Sequence, residues 1–390
     1  MSNISPIDGR YKKNVSELET FFSEQALMRH RVMVEVEYLL ALVKHKSLQK
    51  TRALSKKTLN SLKDLYVEFS ATHFKQIKKI EKKTNHDVNA VVVFVSEKLK
   101  KIGRGDLVPF VHFGLTSEDI NNISYSLMTQ GAVENVMIHS VKGVLKELKA
   151  LSKKTKSLSL LSLTHGQPAT TTTLGKELAV FVSRVEREIA LIKKIKLLAK
   201  LSGATGSYAA HKVAFPDFNW PLFSKRFIKK LGLEQSPIST QVEPGDSLAE
   251  LIHSFVRINN IFSDFSLDMW LYISRNIFVQ KNIVGEVGSS TMPHKINPIF
   301  FENAEGNLDI ANNNFSFLAS RITRSRLQRD LSGSTVLRNI GVGFAHSLVA
   351  YKNLIKGVLR VSPNKAQMKK ELDENWSILA EAIQTVLRKS

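Results

Sequence analysis

The stretch GEVGSSTMPHKINP, residues 285–298, sets two serines, a histidine and a lysine among glycine and proline breaks. A serine hydroxyl acts as a base only when it is ionised or activated. Backbone N–H donors of a glycine-rich loop, a nearby Lys295 and exclusion of water all favour the ionised form. Gly285 and Gly288 would let such a loop move and carry Ser289 onto a ligand. The plainer reading is a turn that cradles a phosphate and supplies no base.

Other polar segments interrupt an otherwise apolar pattern: DGRY (8–11), TNHD (84–87), TSEDINN (116–122), THGQPA (164–169) and SRLQRDLSGSTVLRN (325–339). Each has a structural explanation. TSED fits a helix N-terminus with Thr116 or Ser117 as cap, and THGQP fits a turn with Pro168 opening the next helix. His165 then has a purely structural place, and Arg329 and Arg338 are helix-surface cations. As a set they point further. Hydroxyls and helix N-termini suit phosphate, arginines suit carboxylate or phosphate, and histidine transfers protons near neutral pH. There is no Walker-type loop, GATG is too short for a dinucleotide fingerprint, and no His/Asp/Glu spacing implies a metal. If the segments meet, they handle an anionic organic molecule by acid and base alone, without a cofactor.

The elements that must position these residues are helices. The ten prolines leave long proline-free spans, including 110–167, 169–215, 245–292 and 299–362, which permits long helices. Leu178, Phe181, Val182, Val185, Ile189, Ile192 and Ile195 step by three and four, as do Leu248, Leu251, Ile252, Phe255, Phe262, Phe265 and Met269. Read as one helix, Thr170 to Lys200 would span about 45 Å and would lie in a bundle. The fold class is therefore all-α, with 203–245 an irregular excursion. Composition shifts place an N-terminal helical domain at 1–111, a central long-helix bundle at 112–360 and a third helical segment at 361–390.

The totals fit a folded protein: 390 residues, 43% apolar and 23% charged. No cysteine is present, which removes disulfides and thiolate chemistry. The start resembles no secretory signal, and no run approaches the length of a membrane span, so a cytoplasmic chain is expected. The formal net charge is +21, from 56 basic and 35 acidic residues. It suits anionic ligands, or non-specific nucleic-acid binding. The lysines are spread along the chain without aromatic interleaving, which weighs against nucleic acid.

GSSTMPHKINP resembles the signature loop of the fumarase/aspartase superfamily. His294 within it, together with THGQPA and TSEDINN, resembles the adenylosuccinate lyase family, and the likeness runs from Pro6 to the end. The resemblance implies three helical domains with a central bundle, a homotetramer whose active sites are shared between subunits, and no metal or organic cofactor. It also implies β-elimination of fumarate from adenylosuccinate and from the succinylated aminoimidazole carboxamide ribotide. By motif matching, Ser289 would be the general base and His165 the general acid. Lys295 and Asn297 would hold the substrate carboxylate, and Glu302 would orient His165. Arg10, Tyr11, Asn85, His86, Asp87, Thr116, Ser117, Gln241, Asn303, Arg329, Ser334, Thr335 and Arg338 would bind the substrate. The family's C-terminal helical domain continues beyond NWSILAEAIQTVLRKS, so that domain is expected to be incomplete here. Rival readings are another C–N lyase of the superfamily, an inactive helical scaffold, or a basic nucleic-acid binder.

Overall fold

A computed structural model describes residues 3–45, 54–281, 292 and 295–389. Ser289 and His294 lie outside the described residues. Among the described residues the regular structure is helical, apart from three two-stranded sheets.

Five helices close into a ring: Ile138–Thr155, Leu174–Ile192, Asp246–Ser274, Ile299–Ile322 and Ile340–Leu359, each packed on its neighbours in the order 138–155, 174–192, 246–274, 299–322, 340–359 and back to the first. Their inward faces are the apolar steps read from sequence. Leu248, Leu251, Ile252, Phe255, Phe262, Phe265 and Met269 are all buried. Burying each such side chain contributes about 1.5–3 kcal/mol. A second core packs the Glu24–Lys44 helix against Lys56–Val67, Ala71–Thr84 and Asp87–Lys101. Glu24–Lys44 takes part in both cores and is buried nearly all round, carrying Arg31, Glu35 and Glu37 inward with its apolar residues. Buried charges of this kind persist only with partners. Arg31 pairs with Asp87, Glu35 with His112 and Glu37 with Tyr66 and Lys230.

The helix expected from Thr170 to Lys200 is shorter, covering Leu174–Ile192. The segment before it pairs as an antiparallel hairpin, Ser159–Thr164 with Gln167–Thr173. Four consecutive threonines at 170–173 explain the boundary, because β-branched residues favour extended backbone. Thr173 ends the strand and caps the helix, its hydroxyl accepting from the Lys176 N–H at 3.3 Å. Pro168 consequently sits in the second strand rather than at a helix start. Beyond Ile192 the chain turns, so Ile195 is not part of the helix. The 203–245 excursion is less irregular than its composition suggests, with helices at Ala209–Ala214 and Trp220–Lys230. No described helix is long and apolar enough to cross a membrane.

Candidate active site

Three helix starts and one extended segment bring together residues far apart in sequence. The Ser117–Ala132 helix opens with a capping box. Thr116 stands at the N-cap, and its backbone N–H donates to the Asp119 carboxylate at 2.8 Å. Ser117 is the first helical residue. Asp119 is fully buried, and it also receives the Ser202 N–H at 2.9 Å and the Lys200 ammonium at 2.8 Å. This fully buried pair ties the helix start to the 198–203 strand-and-turn. It fixes the direction in which Thr116 and Ser117 face.

Asn85 ends the Ala71–Thr84 helix in left-handed backbone, φ 53°, and His86 and Asp87 begin the next helix. The His86 Nδ1 accepts from the Asn89 N–H at 3.1 Å, so the neutral ring carries its proton on Nε2, where it can donate to a ligand. Asp87 is clamped by Arg31 and Arg338, each at 2.9 Å. Burial works against its ionisation, but the two guanidiniums prevail and hold its pKa down at about 2. Arg31 also donates to Asn121 of the 117–132 helix at 2.9 Å.

The 324–338 segment is folded around Asp330, whose carboxylate accepts from the Arg326 and Ser332 backbone N–H groups. Those bonds aim Arg329 at Gln241, 2.9 Å away, and leave it 3.8 Å from the half-buried Glu118. Gln241 is itself held by the Ala204 carbonyl at 2.8 Å. Behind this pair lies a cavity whose wall includes Glu118, Tyr125, Glu243, Arg324, Asp330 and Ser334. Ser334 faces it from the short Ser332–Leu337 helix, while the Thr335 hydroxyl is occupied by the Leu331 carbonyl at 3.3 Å. Burial raises the Glu243 carboxyl to about 7, even though the Gly245 N–H donates to it.

Arg10 and Tyr11 arrive from the N-terminus. The Tyr11 oxygen accepts from the Asn303 amide at 3.1 Å, and that bond, with Arg10 nearby, holds the phenol below its usual range. Lys295 and Asn297 precede the Ile299–Ile322 helix. Lys295 is exposed, with its backbone N–H on the Met292 carbonyl at 3.1 Å. Glu302, in the first turn of that helix, accepts from the Trp270 indole at 3.1 Å. Within the chain its partner is thus Trp270, not His165.

His165 stands apart. With Gly166 it forms the exposed tip of the hairpin, both residues in left-handed backbone at φ 55° and 74°. The pair of positive φ values is that of a type I′ turn, which gives a two-residue loop the twist of its strands. Among the described contacts none joins His165 to Arg329, Arg338 or Tyr11. Sequence reasoning missed Arg31 and Glu243, and within TSEDINN it gave no role to Glu118 or Asn121. Arg31 gave one usable signal, a permanent cation in the middle of an apolar helix. Among the described residues no group of three or more His, Asp or Glu side chains is arranged to hold a metal ion.

The overall architecture is that of the fumarate lyase class. A fumarate lyase from Mesorhizobium sp. BNC1 superposes with a TM-score of 0.77 at 17% identity, covering 95% of this chain and 81% of that one. The β-carboxy-cis,cis-muconate cycloisomerase from Acinetobacter calcoaceticus sp. ADP1 gives 0.73 at 18%, covering 97% and 84%. At such identities the likeness speaks for the fold. Sequence similarity goes further. A family described as Lyase matches residues 9–309, and one described as Adenylosuccinate lyase C-terminal matches 325–390. The chain is 45% identical over 390 residues to the adenylosuccinate lyase of Escherichia coli (strain K12), covering 100% of this chain and 86% of the relative. It is 46% identical over 396 residues to that of Dictyostelium discoideum, covering 100% and 85%. The chain belongs to the adenylosuccinate lyase family and is a lyase.

Proposed function

We propose that the chain eliminates fumarate from adenylosuccinate, giving AMP, and from the succinylated aminoimidazole carboxamide ribotide, giving the carboxamide, in purine nucleotide biosynthesis. The observation that carries this reading is the convergence of Asp87–Arg338 and Gln241–Arg329, pairs 251 and 88 residues apart in sequence. They lie beside the Thr116–Ser117 helix start, in a chain of this family. Cations fixed by acids and amides, with a helix N-terminus, suit a ligand bearing a phosphate and two carboxylates.

The reaction needs a base and an acid on opposite sides of a C–N bond. Ser289 takes the proton from the succinyl carbon, and the released electron pair forms the C=C bond. The C–N pair leaves with nitrogen, which His165 protonates. Lys295 and Asn297 hold the carboxylate that gathers charge in the transition state. Glu302 orients His165 in the assembled site, and Arg10, Tyr11, Asn85, His86, Asn303, Ser334 and Thr335 line the substrate. Because His165 is an exposed hairpin tip, the site is completed by other copies in a homotetramer. Half-exposed Leu267, Trp270 and Leu271 on one bundle helix, and Ile310 and Phe317 on its neighbour, supply apolar surface for that contact. The three-domain division at 111 and 360 belongs to the same reading. A chain without cysteine and with no described membrane-crossing helix fits a cytoplasmic enzyme.

Incubating the protein with adenylosuccinate and following the purine absorbance tests this directly. Conversion to AMP and fumarate is expected, and no conversion under conditions where the protein is folded overturns it.

A further inference from the structure

Under Tyr11 and Asn303 lies a string of buried amides ending at a buried histidine. The Asn303 Oδ1 receives the Asn353 amide at 2.7 Å and the Asn307 amide at 3.1 Å. The Asn307 Oδ1 in turn lies 2.8 Å from the His346 Nδ1. Asn307, Asn353 and His346 are all buried, and none belongs to the polar segments that carry the site.

Amide groups can ordinarily be turned end for end, but here two backbone carbonyls fix them. A carbonyl only accepts. The Asn307 nitrogen is bound to the Asn303 carbonyl at 2.8 Å, and the Asn353 nitrogen to the Val349 carbonyl at 3.0 Å. Both amides therefore present N–H to Asn303, whose facing atom must be its oxygen. The Asn303 NH₂ then points at Tyr11 and donates to it. At the other end, the Asn307 oxygen needs a donor, so His346 carries its proton on Nδ1. Burial keeps that ring neutral by lowering its pKa. Every bond in the string runs one way, from His346 and Asn353 toward Tyr11.

We infer that Asn307, Asn353 and His346 are positioning residues, whose fixed polarity makes the Tyr11 phenol an obligatory hydrogen-bond donor to an anionic oxygen of the substrate. The phenolic oxygen accepts from Asn303, with the Asn307 amide and Arg10 also donating toward it, so its own proton is left to face outward into the site. The acceptor is a carboxylate or phosphate oxygen. Its identity rests on the function proposed above, whereas the polarity of the string does not.

The test uses Asn307→Asp, Tyr11→Phe and the double variant in the full chain. Aspartate cannot donate to Asn303, so the Asn303 amide turns, and the Tyr11 proton is drawn inward to its oxygen. The KM for adenylosuccinate is expected to rise about tenfold to a hundredfold, with a smaller effect on kcat. In the Tyr11→Phe background the same substitution should change KM less than about twofold, because the donor is already gone. Equal factors in both backgrounds would overturn the inference. A second readout needs no substrate. With ring-labelled tyrosine, NMR titration should show the Tyr11 phenol pKa rising in the uncharged Asn353→Leu, where no new charge can cause it, and an unchanged value there also overturns the inference. If that pKa moves but the wild-type chain leaves adenylosuccinate intact, the substrate reading falls and the amide string stands. Should Asn307→Asp fail to fold, Asn353→Leu removes one of the two donors and is judged by the same two readouts, with KM expected to rise about three- to tenfold.

Discussion

At the scale of single residues, the acids of the candidate site differ in how they reconcile charge with burial. Asp87 is ionised because two arginines flank it, whereas Glu243 has one backbone donor and an oxygen without a partner among the described residues. Burial raises the Glu243 pKa to about 7, with the Asp246 and Glu118 charges adding to the effect. An acid whose folded pKa exceeds its unfolded value of about 4.3 is favoured in the fold while protonated. That contribution is complete below pH of about 4 and is lost as pH rises through about 7. Glu243→Gln keeps an acceptor for the Gly245 N–H and removes the titration. The variant should be more stable than wild type at pH 8, by about 1–3 kcal/mol, and should match it at pH 4. Thermal melts of both proteins at the two pH values check this. An equal difference at both would show that Glu243 is not the titrating group.

Among the elements, the ring of helices was legible in the sequence and the hairpin was not. Phe255, Phe262, Phe265 and Met269 step at helical spacing along a helix that runs unbroken from Asp246 to Ser274. The hairpin was hidden because Leu160 and Leu161 are buried side by side, without the alternation that marks a strand. Thr173, the last of the four threonines, also caps the following helix, so the run gave no single boundary. The polar segments were legible as a set. Which of them touch was not, since the clamp on Asp87 includes Arg31 from inside an apolar helix, where sequence pattern offers no neighbour to look for. The hairpin leads into one contact that is sharply constrained. At Gly175 a Cβ would stand 2.4 Å from the Ser152 carbonyl oxygen and 2.5 Å from the Lys156 Cα. Both are backbone atoms of the adjoining helix end, so neither can step aside. Gly175→Ala should force the 174–192 helix away from the 138–155 helix and lower stability by about 1–3 kcal/mol. It should also shift the hairpin that carries His165, and turnover should fall more steeply than substrate binding weakens. A melting temperature equal to wild type would mean that the two helices tolerate the displacement.

For the whole molecule, the decisive fact is that one chain gathers Arg338 on Asp87 and Arg329 on Gln241 while holding His165 out on an exposed turn. Acid catalysis requires the imidazole within hydrogen-bond reach of the leaving nitrogen. If the tip serves another copy's site, the two catalytic groups of a single site come from different subunits. Inactivating substitutions in different subunits then need not coincide. His165→Gln and Ser289→Ala should each lower turnover by about 10²–10⁴. Co-expressed so that mixed oligomers form, the two variants place a wild-type His165 opposite a wild-type Ser289 in some sites. With equal, random assembly that fraction is about a quarter, so activity should recover toward a quarter of the wild-type value. A site built within one chain predicts no recovery, because every subunit then carries one lesion or the other. Separating the mixed oligomers by distinct affinity tags and assaying them alone discriminates the two cases. An inactive mixed oligomer would return His165 to its own chain and require the hairpin to fold back onto the Arg329–Arg338 cluster.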